Sequence, residues 1–428
     1  MSKSFLLHSD ELAQLQCFAE QGPEWLEQFR KAGLARVQQM HFPTIRDEDW
    51  RYTNMAEALQ QRYCLAEASL PLSSEINSFR LPGAAEIVFV NGIFSKALSE
   101  LSMLPTGITI RRWSAMAGAE VQAYLSKPVS AETDVFVALN QALFQDGVCI
   151  DVAKAATAPL VHIIHLTTKA SLPVVTLPRH LLRVAEQAEA SLVESYVSLG
   201  DSAYLTAAVV DVELAARARM HHAKIQCEAL QATHVGSTRF WQGAGSYLNT
   251  FSLALGAKLG RNQLAIYLNG LEAQVILSGL YACKHQQLID NHSLVVHAAP
   301  SCRSRQLYKG ILSGKSRAVF NGKVLVPQDS QQTDGYQINR NILLSKEARV
   351  YTKPELEIYA NDVKCTHGAT VGQLRDDELF YFQSRGIGRQ RATQMLIHGF
   401  VADVLSSVEH DGIRQHVQQR LKDVYATL

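Results

Sequence analysis

The middle of the chain is a succession of short apolar runs separated by polar or glycine-containing breaks. Between about residues 158 and 372, runs such as LVHIIHLT and YLTAAVVDVEL are rich in β-branched and aromatic residues. Runs of about 6–10 residues with this composition are typical of strands, and long apolar stripes at helical spacing are almost absent there. The pattern therefore predicts one extended all-β region.

Three β architectures compete for this region. A sandwich or barrel usually joins its strands by tight turns, and only Asn269-Gly270 and Asn321-Gly322 offer the usual turn residues. A propeller requires a repeated blade, and no such repeat is present. A parallel β-helix needs no strict repeat, but its open ends expose unpaired strands that helices can cap. The pattern alone leaves the three architectures open.

The N-terminal part carries apolar residues at helical spacing: Leu12, Leu15, Trp25, Leu26 and Phe29. Pro23 opens the second of these stretches, as proline does in the first turn of a helix. The following part is mixed. Residues 87–92 predict a strand that runs into a turn, and residues 120–143 predict one or two helices.

After Asp376 the apolar residues return to helical spacing: Leu396, Phe400, Val404 and Val408, then Ile413, Val417 and Leu421. Asp411-Gly412 separates the two predicted helices. Their apolar stripes predict either packing against the body of the protein or a docking face for a partner. The chain is thus divided into a helical part (1–70), a mixed part (71–155), a β core (156–374) and a C-terminal helical part (375–428).

Composition and charge narrow the class of protein. The chain has 41 Lys and Arg against 40 Asp and Glu, without a basic or acidic block, so neither nucleic acid nor an anionic membrane is predicted as a partner. No apolar run approaches the ~20 residues that span a bilayer, and the first run is too short for a signal peptide. The seven scattered cysteines, without C-x-x-C, fit a reducing compartment. A cytoplasmic protein is therefore expected.

Several motifs of catalytic proteins are missing. Residues 310–316 resemble a P-loop, but three residues stand between the glycines where a P-loop has four, and no helix follows. The segment Gly386-Ile387-Gly388 is interpreted as a turn into a helix. Neither G-x-S-x-G nor H-E-x-x-H occurs. No nucleotide site is predicted in this chain.

The segment Val363-Lys364-Cys365-Thr366-His367 is the most informative for chemistry. On a strand, Cys365 and His367 share a face. Their Cα atoms then lie about 6.6 Å apart, so one metal ion could bind both side chains. Thiolate and imidazole suit iron or zinc. The alternative is burial of both residues on an apolar face with Val363. Two ligands cannot complete a four-coordinate site, so any metal here needs ligands from elsewhere, for instance from another chain.

This segment lies in the longest of several blocks that resemble the SufB/SufD family of iron–sulfur cluster assembly proteins. The similarity covers about residues 40–428 and is strongest between 300 and 400. The blocks follow one another in family order: 49–53 (DWRYT), 304–306, 317–322, 333–335 with 341–344, 352–372 and 378–387.

The resemblance implies a mainly β fold, namely a right-handed parallel β-helix between helical N- and C-terminal domains. It also implies a non-catalytic scaffold subunit that works with an ABC-type ATPase, SufC, and with a paralogue, SufB. An isolated chain could instead pair with itself. No cofactor is expected to stay bound to the isolated chain, whereas a transient iron–sulfur cluster is expected in the complex.

The resemblance also assigns residues. The K-C-x-H-G-A-T-V-G form favours a SufD-type chain, because SufB-type chains lack the cysteine here and carry a cluster-building cysteine near positions 337–341. His367, with Cys365, is then expected to reach across an interface to a cluster held mainly by the partner. The ATPase is expected to dock on the C-terminal helices, through Phe380, Tyr381, Arg385, Gly386, Leu396 and Phe400.

Two other functions compete with a scaffold. A β-helix enzyme acting on carbohydrate needs paired carboxylates, and Glu355 and Glu357 share a strand face. A hydrolase could use Cys365 and His367 as nucleophile and base, but two residues on one strand face give poor attack geometry without an oxyanion hole. A scaffold should be inert alone, whereas either enzyme should act by itself.

Overall fold

The protein is built around a parallel β-solenoid of about eight turns, with helices at both ends. The computed structural model describes residues 20, 23–65, 71, 73–102, 104–116, 118, 120–121 and 134–425. Each turn contributes one strand to each of two long sheets. The predicted parallel β-helix with helical ends is therefore confirmed.

The first sheet contains the mostly even-numbered strands, in the order β20-β18-β16-β14-β12-β10-β8-β5-β4, with β7 beside β10 and β1 beside β7. Its strands are β1 (Cys64–Leu65), β4 (Ile108–Arg112), β5 (Val148–Val152), β7 (Val174–Thr176), β8 (Arg179–Val184), β10 (Tyr204–Leu214), β12 (Thr233–Gln242), β14 (Leu259–Leu268), β16 (Leu288–Val296), β18 (Arg317–Val326) and β20 (Arg349–Ile358).

The second sheet runs in the order β21-β19-β17-β15-β13-β11-β9-β6-β2-β3. Its strands are β2 (Ala85–Val90), β3 (Ile93–Phe94), β6 (Thr157–Thr168), β9 (Glu189–Leu199), β11 (Arg219–Cys227), β13 (Tyr247–Ala254), β15 (Gln274–Cys283), β17 (Arg303–Leu312), β19 (Thr333–Leu343) and β21 (Val363–Gln373). From β6 onwards, every pairing along this sheet is parallel.

Among the described residues, seven α-helices cover the ends and sides of the solenoid: α1 (Glu24–Gln39), α2 (Ala56–Gln60), α3 (Ser73–Ile76), α4 (Val135–Leu143), α5 (Asp376–Ser384), α6 (Arg389–Ser406) and α7 (Asp411–Tyr425). Pro23 is the N-cap of α1, and Trp25 and Leu26 are buried, as the helical spacing predicts. None of the described helices combines the length and the apolarity needed to cross a membrane. Leu12 and Leu15 lie outside the described residues.

The two Asn-Gly dipeptides, candidates for tight turns, do not join hairpins. Asn321-Gly322 lies inside β18 and not in a turn. A Cβ at Gly322 would come within 2.1 Å of Gln337 Nε2, so the glycine there makes room for a side chain that crosses the interior. Asn269-Gly270 does follow a strand, β14, but the next strand, β15, belongs to the other sheet. The candidate turn at Asn321-Gly322 is therefore part of a strand.

The interior of the solenoid is tightly packed around two tyrosines. Tyr281 and Tyr308 are almost completely buried, and each ring lies over a glycine of the adjacent strand. A Cβ at Gly279 would lie 2.2 Å from Tyr308 Cε1, far inside van der Waals contact. The glycine therefore provides the space that the ring occupies.

We expect Gly279→Ala to lower the free energy of unfolding by about 1–3 kcal/mol, because the ring must leave its position or the strands must separate. Gly372→Ala is the matched control, because a Cβ at Gly372, on β21, meets no atom within 4 Å. The midpoint of urea unfolding measures both variants. Equal midpoints would show that the interior adjusts to the extra methyl group.

Candidate functional site at the open end of the solenoid

The solenoid ends in an uncovered turn formed by β20 and β21. Among the described strands, β20 pairs only with β18 and β21 only with β19, so each leaves one edge without a strand neighbour. Large apolar side chains are exposed there, among them Tyr359 (63% exposed) and Val371 (46%). Unpaired strand edges with exposed apolar side chains are a surface on which another chain can add.

Cys365 and His367 both lie on β21, at this open end. They are separated by one residue on a continuous strand, in register with Gly335 and Gln337 of β19. Cys365 is half-buried and packs against the apolar core, whereas His367 is exposed. Burial raises the pKa of the Cys365 thiol above its usual value. The strand that the sequence predicts is thus present, and its end position leaves the imidazole accessible.

The residues that the structure describes do not complete a ligand set at this position. Among the described residues, no three His, Cys, Asp or Glu side chains are arranged to hold a metal ion. A metal at Cys365 and His367 would therefore need further ligands. Their role as ligands stays a prediction.

A layer of buried amides lies one turn below, and sequence reasoning missed it. Gln337, directly beneath His367, is fully buried and donates from Nε2 to Gln306 Oε1 at 2.9 Å. Asn341 Nδ2 donates to Asn339 Oδ1 at 2.7 Å, and the Tyr281 hydroxyl donates to Asn341 Oδ1 at 2.5 Å. The only sequence signal was the period-2 placement of polar residues in β19. These hydrogen bonds form a layer of buried polar side chains beneath the open end.

Several other histidines are buried within the fold. His162, His165, His222, His234 and His297 are buried at 7% exposure or less. His222 Nε2 and Glu194 Oε1 lie 2.8 Å apart, well inside the solenoid. The structure does not bring these side chains together with His367.

The C-terminal helices divide the predicted docking residues into two groups. On α5, Phe380 is 71% exposed and Tyr381 54% exposed, and the Arg385 guanidinium lies 4.4 Å from the centre of the Tyr381 ring. Gly386 has φ +80°, a conformation that glycine adopts without strain, at the turn into α6. Phe380 and Tyr381 therefore form an exposed aromatic pair.

The apolar stripe of α6 instead lies mainly against the second sheet. Val404 on α6 and Val408, two residues beyond the end of α6, are buried, whereas Leu396 and Phe400 are half-buried. Lys309 Nζ of β17 donates to the Phe400 carbonyl at 2.5 Å and lies 4.4 Å from the Phe400 ring centre. The stripe predicted either packing against the body of the protein or a docking face. Val404 and Val408 pack against the body.

The carboxylates considered for an acid–base pair are engaged elsewhere. Glu355 Oε1 lies 2.5 Å from Lys353 Nζ, and Glu357 Oε1 lies 2.6 Å from Lys323 Nζ. Glycoside hydrolysis needs one carboxyl group that is kept protonated and a second that is free to act. Two carboxylates that each have a lysine partner provide neither group, so the geometry does not favour a carbohydrate-active enzyme.

Comparison with known proteins identifies the family. The profile of the SufBD core domain of the SUF system for FeS cluster assembly matches residues 165–400, and that of the SufBD N-terminal region matches residues 11–159. The chain is 32% identical over 409 residues to the iron–sulfur cluster assembly protein SufD of Escherichia coli, covering 94% of this chain and 92% of that protein.

Two further relatives are similar to large parts of this chain. An iron–sulfur cluster assembly SufBD family protein of Synechocystis is 32% identical over 395 residues, covering 89% of this chain and 87% of the relative. The chloroplastic protein ABCI7 of Arabidopsis thaliana is 35% identical over 247 residues, covering 57% and 52% of the two chains. With its parallel solenoid and its matches to both domain profiles, this chain belongs to the SufBD family of iron–sulfur cluster assembly proteins.

Proposed function

We propose that this protein is a non-catalytic scaffold subunit of a SUF-type complex that assembles iron–sulfur clusters in the cytoplasm. The observation that carries the proposal is the open end of the solenoid. It combines unpaired strand edges, exposed apolar side chains and an incomplete pair of metal ligands, Cys365 and His367. Each of these features is completed by a second chain.

The proposed partner at the open end is a SufB-like paralogue. Main-chain groups of β20 and β21 can pair with strands of a chain built the same way, which extends the sheets across the interface. The shared cluster is the cargo, held for a time between the two chains and then released. In this arrangement His367 and the thiolate of Cys365 supply ligands from one side. An isolated chain can satisfy the same edges by pairing with a second copy.

The proposed partner at the C-terminal helices is a SufC-like ABC ATPase, which hydrolyses ATP for the complex. Phe380 and Tyr381 are its proposed contacts, because an exposed aromatic pair beside an arginine is typical of interface hot spots. Gly386 allows the turn that presents α5 next to α6. Leu396 and Phe400 remain accessible in part, so they are placed at the margin of this contact.

A crossed pull-down experiment tests both partners. We expect Phe380→Ser with Tyr381→Ser to lower co-purification of the ATPase at least about tenfold, since buried aromatic anchors often contribute 2 kcal/mol or more each. The paralogue should still co-purify. Tyr359→Ser with Val371→Asp, at the open end, should lower co-purification of the paralogue, and the ATPase should still co-purify.

Both pairs of substitutions change exposed residues, so the fold should survive in each. Each double variant therefore serves as the control for the other. Loss of both partners from either variant, or of neither from both, would contradict this assignment of surfaces.

A further inference from the structure

A large cavity lies on the side of the solenoid, between the outer face of the first sheet and helices α1 and α4. Its volume is about 1190 Å³. Phe29 and Arg36 of α1 and Gln141 of α4 line one wall, and side chains of β8, β10 and β12 line the other. Sites for small ligands usually have volumes of about 300–1,000 Å³, so this cavity has room for a ligand of ordinary size.

Two buried arginines of the sheet share one carboxylate in the wall of this cavity. Arg239 Nε and Nη2 donate to Asp211 Oδ1 and Oδ2, at 2.7 and 2.9 Å. Arg179 Nη2 lies 3.6 Å from the same Oδ2, and its Nη1 donates to Asn140 Oδ1 at 3.2 Å. Arg179 and Arg239 are only 5% and 6% exposed. Among the described residues, Asp211 is the only carboxylate within 4 Å of either guanidinium, so one negative charge faces two positive charges.

Arg36 of α1 brings a third guanidinium to this wall. Its Nη1 donates to Gln141 Oε1 at 3.0 Å. Burial lowers the pKa of Arg179 to about 10, so the group stays charged at neutral pH. Asp211 opposes this shift, whereas Arg239 and Arg36 add to it. Positive charge that is removed from water without a matching negative charge costs free energy, which a bound anion would offset.

The other charged residues that line the cavity lie further along the strands. Glu213 of β10 is the cross-strand neighbour of Arg183 of β8, and Arg183 also forms an ion pair with Asp151. Among the described lining residues, this end therefore has two carboxylates and one arginine, without a surplus of positive charge. An anion is expected at the end formed by Arg36, Arg179 and Arg239.

Spare donors of the buried arginines are open to the cavity. Arg239 uses Nε and Nη2 to bind Asp211, which leaves both hydrogens of Nη1. Neither Arg179 nor Arg239 has a buried nitrogen without a hydrogen-bond partner. The nitrogens that make no hydrogen bond are therefore accessible from the cavity. A planar guanidinium with free donors matches the geometry of a phosphate or carboxylate group.

The wall beside these arginines is apolar. Trp241 is half-buried, and its ring stacks on Tyr267 with 5.8 Å between the ring centres. The Arg239 guanidinium lies 5.5 Å from the centre of the Trp241 ring. Leu181 and Leu214 continue this wall. Apolar surface with a few convergent polar groups is typical of sites for organic ligands, because the apolar part gives affinity and the polar groups fix the orientation.

We propose that this cavity binds a small organic anion, whose phosphate or carboxylate group is held by Arg36, Arg179 and Arg239. Its apolar part lies against Trp241. Because Arg36 belongs to α1 and the other two arginines belong to the sheet, the ligand also joins the N-terminal helix to the solenoid. The inference does not depend on the proposed function, since the described lining residues include none from β20, β21 or the C-terminal helices.

The test titrates the full chain with the fluorescent anion anilinonaphthalene sulfonate, whose charged group and aromatic rings match the two parts of the site. We expect Arg36→Met to raise the Kd of the dye at least about tenfold, because one charged hydrogen-bond donor is lost. Arg36 is exposed, so the fold should survive its substitution.

Lys31→Met is the matched control for this variant. It removes the same charge from α1, but Lys31 does not line the cavity, and its pair with Glu27 is exposed to solvent. The Kd of the dye should therefore stay within about twofold of that of the unaltered chain.

Inorganic phosphate and acetate are then compared as competitors of the dye. The anion that displaces the dye at the lower concentration identifies the charged group that the arginines prefer, and Arg36→Met should weaken that displacement too. A dye that neither anion displaces would overturn the proposal, because it would then be bound to apolar surface alone. Equal Kd values in Arg36→Met and Lys31→Met would overturn it as well. None of these measurements needs iron or a partner protein, so the result is independent of the proposed scaffold role.

Discussion

His367→Ala is expected to lower the yield of iron–sulfur cluster on the complete complex at least about tenfold, while the subunits still assemble. The imidazole is exposed at the open end, so its removal should not disturb the core. Removing a residue that merely orients a ligand typically costs 10–100-fold in metal affinity, and removing a ligand should cost no less. Cluster absorbance after reconstitution of the co-purified complex measures the yield.

His285→Ala is the matched control for this result, because His285 is also exposed but lies in the turn between β15 and β16, away from β21. Its cluster yield should equal that of the unaltered complex. Cys365→Ser with His367→Ala should yield even less cluster than His367→Ala alone. Normal cluster formation by the His367→Ala complex would rule out the ligand role, even if all partners still bind.

Arg261→Met is expected to lower the free energy of unfolding by about 3–5 kcal/mol, because it leaves a buried carboxylate without its main partner. Arg261 Nη1 lies 2.5 Å from Asp290 Oδ2 and donates to the Asp49 carbonyl at 2.8 Å. Its guanidinium also lies 3.8 Å from the centre of the Trp50 ring. The substitution should therefore also release the 49–53 segment from the first sheet. Urea unfolding measures the loss, and limited proteolysis near residue 50 measures the release.

The loss should depend on pH in a defined direction. Burial opposes the charge of Asp290, but Arg261, with His292 and Thr53, more than offsets burial and holds the pKa well below its usual value. A depressed pKa contributes stability above the unfolded value near 4, and this contribution disappears as the pH falls through the folded value. The difference between Arg261→Met and the unaltered protein should thus be largest near pH 7 and shrink in acid.

Arg305→Met is the control for this substitution, because its pair with Asp334 is partly exposed, at 46% and 32%. Exposed pairs contribute only about 0–1 kcal/mol, so this variant should unfold almost like the unaltered protein. Equal losses in Arg261→Met and Arg305→Met would mean that the buried pair does not hold the N-terminal segment in place.

Local patterns predicted the elements well where they are repetitive. Short β-branched runs without helical stripes predicted an all-β centre, and stripes such as Ile413 with Val417 predicted the terminal helices. The choice of a β-helix among three architectures came from similarity to a family, because strand periodicity is the same in a sandwich and in a solenoid. The dipeptide Asn321-Gly322, a candidate turn, lies inside a strand. In the sequence, a glycine that makes room for a side chain looks the same as a turn glycine.

The sequence by itself determined that Cys365 and His367 share a strand face and that the chain alternates β runs with short breaks, because both depend on neighbours along the chain. Only the tertiary structure decided that their strand is the last one of the second sheet, which leaves His367 exposed. It alone joined Arg261 to Trp50 and Asp290 to Thr53, each pair more than two hundred positions apart. These contacts arise from the stacking register of successive turns, which is the sum of many long-range pairings and leaves no local signal in the sequence.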